Sequence, residues 1–354
     1  MGAKIKHALD AKDPGADRRF SIRVFGLFCA VLIVITLTAI ALSAVDIASF
    51  LPVFAGYMML ALWAGLIIGA IAQLVGLLTP GKWRPDVRAP WLLMAILMAG
   101  TTLPLFELFK QTILPMRGFP LDPTLATMDR LLFFGNDAWR ATHFLFGSVQ
   151  ATLLFDRAYA IWLPLMFLFP AAAVMATPDA RVRARLLGCW LGSWIIIGSL
   201  GAWILGSAGP CYYEALVGPN PGFAEMNRHL AALAREAQGR GQSVAAVGFQ
   251  SMLLNGRLDS QFVSAGGISA MPSMHVAMAL LFAIAGFRVS RPIGWIMAIY
   301  AVTIWIASIH LGWHYAIDGI VGAGMMWGLW RLSGKMVGDD KQGSNPLPPS
   351  GPVR

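Results

Sequence analysis

Two short stretches of this 354-residue chain bring together residue types that do chemistry. The first is Gly266-Gly267-Ile268-Ser269-Ala270-Met271-Pro272-Ser273-Met274-His275; the second is Ser308-Ile309-His310-Leu311-Gly312-Trp313-His314-Tyr315-Ala316-Ile317-Asp318. Each leads into an apolar run. Pro272 suits the first turn of a helix, whose unpaired backbone N–H groups favour an anion. With the Ser273 hydroxyl and the His275 imidazole beside them, a phosphate fits. His314 and Asp318 are four residues apart and share one face of a helix. A carboxylate hydrogen-bonded to one ring nitrogen leaves the other free and basic, which suits nucleophilic attack.

Taken singly, both motifs have plainer readings. Pro-x-x-His at a helix start is commonly structural, and a His/Asp pair at i, i+4 is often a packing hydrogen bond. Together, at matching depth in apolar helices, they read as a functional site, because ionisable groups there are costly. His310, His314 and Asp318 at i, i+4, i+8 also allow a metal site. Gly312 between them and the lack of a further acidic or cysteine cluster argue against it, so no metal is expected.

The elements that must hold these residues are membrane helices. The chain is 57% apolar and only 13% charged, with a mean hydropathy of +0.64. A soluble domain is about one quarter charged, and several windows exceed the roughly 18 apolar residues of a spanning candidate. Disorder is excluded, and three cysteines, Cys29, Cys189 and Cys211, do not make a disulfide framework. The net charge of +9 is spread in short clusters between apolar runs, a pattern of membrane orientation rather than of nucleic-acid binding.

Apolar runs at 24–45, 52–78, 90–114, 158–176, 186–207, 271–287, 294–311 and 312–332 predict an all-α, polytopic bundle of about eight transmembrane helices. One helix over the last two runs would be about twice the length of a hydrocarbon core, so they are separate. Residues 1–23 form a cytoplasmic segment, 24–332 the membrane domain and 333–354 a disordered cytoplasmic tail. Lys82, Arg84, Arg88, Arg181, Arg183, Arg185, Arg288 and Arg291 then fall on the side of the basic N-terminus. Both termini are expected in the cytoplasm, with the site on the outer, periplasmic or lumenal, face of what reads as a bacterial inner membrane. Of the outer loops 115–157 and 208–270, the first is apolar and interfacial. In the second, Phe223, Met226, Leu230 and Leu233 predict an amphipathic helix within 219–243, on the outer surface.

Pro272-Ser273-Met274-His275 resembles the Pro-Ser-Gly-His motif of the type 2 phosphatidic acid phosphatase superfamily. His314-x-x-x-Asp318 resembles the end of its Ser-Arg-x5-His-x3-Asp motif. The resemblance implies a lipid-phosphatase-type core over about 158–332. It makes His314 the nucleophile, Asp318 its orienter, His275 the acid for the leaving oxygen and Ser273 a phosphate ligand. The family's Ser and Arg align with Ala307 and Ser308, so one phosphate-binding guanidinium is absent. The Lys-x6-Arg-Pro motif is missing from its usual place; Lys110-x6-Arg117-Gly118 has the spacing but lies far upstream. Lys110, Arg117, Arg257 and Ser308 are the remaining candidates for holding phosphate, with ordinary loop cations as the alternative for Lys110, Arg117 and Arg257.

Lack of the arginine is similar to the inositol phosphorylceramide synthase and sphingomyelin synthase branch. Gly209-Pro210-Cys211-Tyr212-Tyr213-Glu214 resembles a segment of that branch, and Asp122, Asp129, Arg130 and Asp156 resemble positions of its preceding loop, where salt-bridged scaffolding is expected of them. The expected activity is transfer of a phospho-headgroup between lipids through a phosphohistidine, in sphingolipid or related lipid metabolism. A lipid phosphate phosphatase is the alternative, and a proton-coupled transporter a third reading. No cofactor is expected. Membrane lipids are the substrates, with no nucleic acid and no obligatory protein partner.

Overall fold

The computed structural model describes residues 23–24, 26–31, 33–34, 37–38, 47–78, 85–177, 179–259 and 266–337. Most of the N-terminal segment, part of the first apolar run and the tail from Gly338 lie outside the described residues. Helices are the regular structure throughout: α1 (Ile47–Leu78), α2 (Pro85–Thr112), α3 (Asp122–Leu132), α4 (Ala138–Phe146), α5 (Val149–Ala176), α6 (Ala180–Gly192), α7 (Tyr213–Leu216), α8 (Pro221–Gly239), α9 (Ala245–Leu258), α10 (Met274–Val289), α11 (Arg291–His310) and α12 (Ala316–Val337). The described residues between Arg23 and Thr38 are also helical.

Five stretches among the described residues are long and apolar enough to cross a membrane: Phe50–Gly76, Ala89–Arg117, Val149–Ala176, Ala180–Ile204 and Arg291–His310. The protein is an integral membrane protein, but the expected eight runs do not all meet that standard. α10 has 16 residues, about 24 Å at 1.5 Å per residue, against a core of about 30 Å. α12 carries Asp318 in its first turn and Lys335 in its last. α1 and α11 turn Leu60, Trp63, Leu66, Ile67, Trp295 and Ile299 outward, each about half exposed or more, as a lipid-facing surface requires.

α5 is the central post, packed against α1, α2, α10 and α11. It begins nine residues before its apolar run, because Ser148 caps it, accepting from the Ala151 N–H at 3.2 Å. α6 continues through a π-type stretch, Ser193–Gly201, to Ile204. Widened turns of this kind are frequent at functional sites, and this one faces α2 and α10.

The stretch 115–157, read as an apolar loop, folds into α3, α4 and the start of α5. With α8 and α9 these short helices cover the end of the bundle where α10 begins and α11 ends. The amphipathic helix expected within 219–243 is α8, capped by Asn220, whose Oδ1 accepts from the Gly222 and Phe223 N–H groups at 3.1 and 3.3 Å. Its Phe223, Met226 and Leu230 pack on Leu125, Trp139 and Tyr315, and its Leu233 on Leu153 and Leu311. Each such burial stabilises by about 1.5–3 kcal/mol. α8 therefore clamps the α11–α12 turn, Leu311–Tyr315, that carries His314.

Candidate active site

Two helix starts and one turn build the site. Ser273 is the N-cap of α10, and its Oγ accepts from the Val276 N–H at 3.5 Å. Its own N–H donates to the Asp318 carbonyl at 3.1 Å, joining the two motifs through the backbone. α12 comes this close because residue 322 is glycine; a Cβ there would collide with the Ser273 carbonyl oxygen. His275 follows in the first turn of α10, where the Trp162 Nε1–H donates to its carbonyl at 3.1 Å.

His314 sits in the turn, held by N–H bonds from Trp313 and His314 to the Ser308 carbonyl at 2.9 and 3.2 Å. Its Nδ1 lies 3.4 Å from Asp318 Oδ2, a carboxylate with no exposed surface. That separation is ion-pair range and slightly long for a good hydrogen bond. Asp318 Oδ2 is itself fixed by the Tyr315 N–H at 3.0 Å. With Nδ1 facing the carboxylate, Nε2 is the nitrogen left for chemistry. The His275 and His314 rings are 5.8 Å apart, centroid to centroid.

Both histidines line one cavity of about 440 Å³, with Lys110, Tyr159, Tyr212 and Trp313 among its other walls. Leu103, Leu163 and Met166 contribute an apolar part of its lining. Lys110 reaches the cavity from the end of α2, next to Gly267. That glycine has φ +88°, and a Cβ on it would lie 2.6 Å from the Lys110 Cβ, so both backbone shape and space call for glycine.

The other expected ligands are not placed together. Arg117 is exposed and does not line the cavity. Arg257 points to the Pro115 carbonyl at 3.5 Å, with its guanidinium 5.9 Å from the Phe119 ring, also off the cavity. The Lys110/Arg117 spacing therefore yields one cation at the site, not two: Arg117 lies beyond the end of α2, on a separate 3-10 turn. Ser308 spends its hydroxyl on the Trp305 carbonyl at 2.7 Å and serves His314 through its own carbonyl. Ser273 is buried as a cap and is not in the lining. His310 turns away from His314, hydrogen-bonded to Thr152 at 2.9 Å and stacked on His143 at 3.8 Å.

The acidic residues correct one expectation. Asp122, Asp129 and Asp156 are buried and bond mainly to backbone N–H groups instead of to cations. Asp129 accepts from Ala316 and Ile317 at 2.7 and 3.0 Å, capping α12 beside His314. Asp122 accepts from Ala208 and Gly209 at 2.8 and 2.9 Å and from the Tyr315 hydroxyl at 2.9 Å. Asp156 accepts from Ala245 and Ala246, both at 2.8 Å, at the start of α9. Arg130 alone forms a salt bridge, with Asp137 at 2.7 Å. No local pattern announces such pairings, because each carboxylate and its partners are far apart in sequence.

Burial, together with the nearby Asp318 and Asp137 charges, raises the Asp129 pKa from 3.8 to about 6, against its two backbone hydrogen bonds. A raised carboxyl pKa means the folded chain binds the proton more tightly than the unfolded one. The associated stability is complete below pH about 4 and is lost as pH rises through about 6. Asp129→Asn removes that titration. Thermal unfolding in detergent should show a smaller change between pH about 4 and about 6 for the variant than for wild type. Equal slopes would mean that Asp129 does not titrate there.

Residues 123–332 match the model of the PAP2 superfamily, more than half of the chain, and the chain belongs to that superfamily. The match takes in both motifs and the Asp129 cap, while α1 and α2, which bring Tyr57 and Lys110 to the cavity, lie before it. Membership makes the protein a membrane enzyme of the lipid phosphatase or phosphotransferase type. No curated protein and no solved structure matches.

Proposed function

We propose that this enzyme transfers a phospho-headgroup from one lipid to another, as the inositol phosphorylceramide synthase and sphingomyelin synthase branch does, at a site on the outer face of the membrane. The observation that carries the reading is the shared cavity of His275 and His314, with Asp318 behind His314 and, among the described residues, one lysine or arginine, Lys110, in the wall. His314 Nε2 attacks phosphorus, an N–P bond forms, and the P–O bond to the donor's leaving alcohol breaks. His275 gives that oxygen its proton. In the second half, the acceptor hydroxyl returns a proton to His275 as its oxygen attacks phosphorus, and the N–P bond breaks. Asp318 holds the His314 ring and offsets its positive charge in the phosphohistidine.

A hydrolase shares the first half and admits water in the second. The apolar lining of the cavity favours the transferase, since a phosphohistidine waiting for a second lipid must be kept from water. Purified protein in mixed-lipid vesicles should release little free phosphate without an acceptor. With a ceramide- or diacylglycerol-like alcohol and a headgroup donor present, it should form a new phosphodiester lipid. Fast phosphate release from phosphatidic acid with no acceptor would assign the enzyme to the hydrolases.

A further inference from the structure

We propose that Tyr159, Tyr212 and Trp313, with Lys110, form the wall that holds the phosphate, in place of the guanidinium absent from the second motif. The inference rests on the functional reading above, and the residues come from the cavity itself.

All four line the cavity that His275 and His314 share. The Tyr159 and Tyr212 hydroxyls and the Trp313 Nε1 are buried and have no hydrogen-bond partner among the described residues. A buried donor left unsatisfied is costly and calls for an explanation. Elsewhere the fold meets this need: Tyr300 donates to the Ala158 carbonyl, Tyr315 to Asp122 and Trp305 to the Ala316 carbonyl. Trp139 and Trp190 also carry unpartnered ring N–H groups away from this cavity, and Trp194 carries one in its lining, so the two tyrosine hydroxyls are the stronger signal. Tyr212 has the Cys211 thiol nearby, which is a weak partner.

The rings are set rigidly. Tyr159 stacks on His275 at 4.3 Å and lies parallel to Trp313 at 6.1 Å, and Tyr212 meets Trp313 edge-on at 6.2 Å. Trp313 precedes His314 in the chain, so the ladder His275–Tyr159–Trp313–Tyr212 flanks both reacting groups. The two carboxylates in the lining are engaged with N–H donors: Asp156 at α9, and Glu107 with Gln111 at 3.2 Å and Gly266 at 3.4 Å. An anion here faces Lys110 and fixed neutral donors, which need no reorganisation as charge shifts during transfer, while Glu107 and Asp156 are acidic groups of the same wall.

The test uses the full-length protein in detergent, with inorganic phosphate as the probe. Tyr159→Phe and Tyr212→Phe keep the rings and remove only the hydroxyls. Each should weaken phosphate binding roughly fivefold, and the double variant more than either. Without phosphate the variants should melt at the wild-type temperature or above it, because an unpartnered donor is gone, while the rise in melting temperature on adding phosphate shrinks. A double variant that binds phosphate as tightly as wild type overturns the wall, and so does a wild-type protein that turns over lipid phosphate without binding the ion. Tyrosine-dependent binding in a protein that transfers no phosphoryl group from any lipid would keep the wall and discard the catalytic reading.

Discussion

His314→Ala is expected to abolish transfer and hydrolysis alike, a loss on the order of 10⁴-fold or more. Every step assigned to the cavity passes through the His314 Nε2, and nothing in the lining replaces it. His275 is 5.8 Å away, ring to ring, and no carboxylate among the described residues is paired with its ring. Lys110 is cationic and a poor nucleophile while protonated. The fold should survive, because the turn is held by the backbone of residues 308 and 313–314 and by the Asp129 cap, not by the imidazole. His275→Ala differs in kind. It removes the proton donor alone, so a donor lipid analogue with a good leaving group should still phosphorylate the enzyme. Turnover at the wild-type rate in His314→Ala, in protein that melts normally, would remove the catalytic proposal.

Asp318→Asn should lie between those two, with a fall of about 10²- to 10⁴-fold, the range seen when an oriented imidazole loses its carboxylate. The amide fits the same buried space, and its oxygen can still accept from the Tyr315 N–H. What is lost is the negative charge 3.4 Å from Nδ1 that favours the cationic, phosphorylated ring. The loss should therefore appear in kcat more than in KM, since the interaction strengthens as N–P bonding develops. Equal kcat and a raised KM would recast Asp318 as part of substrate binding.

The residues proposed as catalytic are legible because their spacing is local. Ser273 caps the start of α10, so Pro272, expected in the first turn, lies just before the cap, and His314 and Asp318 are one helical turn apart. Helix α8 was readable for the same reason, with Phe223, Met226, Leu230 and Leu233 repeating along one face. What the spacing could not show depends on contacts between distant segments. Lys110 is a candidate from its spacing with Arg117, but that it and not Arg117 reaches the cavity depends on Gly267, which lets a loop lie against α2. The carboxylates of Asp122, Asp129 and Asp156 cap segments far along the chain, where the sequence suggested ion pairs. Tyr212 could be noticed only as part of Gly209-Pro210-Cys211-Tyr212-Tyr213-Glu214, and Tyr159 lay in an apolar run without distinguishing neighbours. The start of α5 was missed because Asp156 interrupts its apolarity while using its carboxylate to anchor α9.

The most direct measurement is to trap the covalent intermediate. Protein in lipid vesicles would receive a donor lipid labelled at phosphorus, with no acceptor alcohol, and be quenched in base, where phosphohistidine survives and phosphoserine esters do not. The digested peptides would then be sequenced. Phosphate on the peptide carrying His314, chased off by an added lipid alcohol and absent from His314→Ala, is the predicted result. A label on another residue, or steady turnover with no labelled protein at any time after mixing, would contradict it.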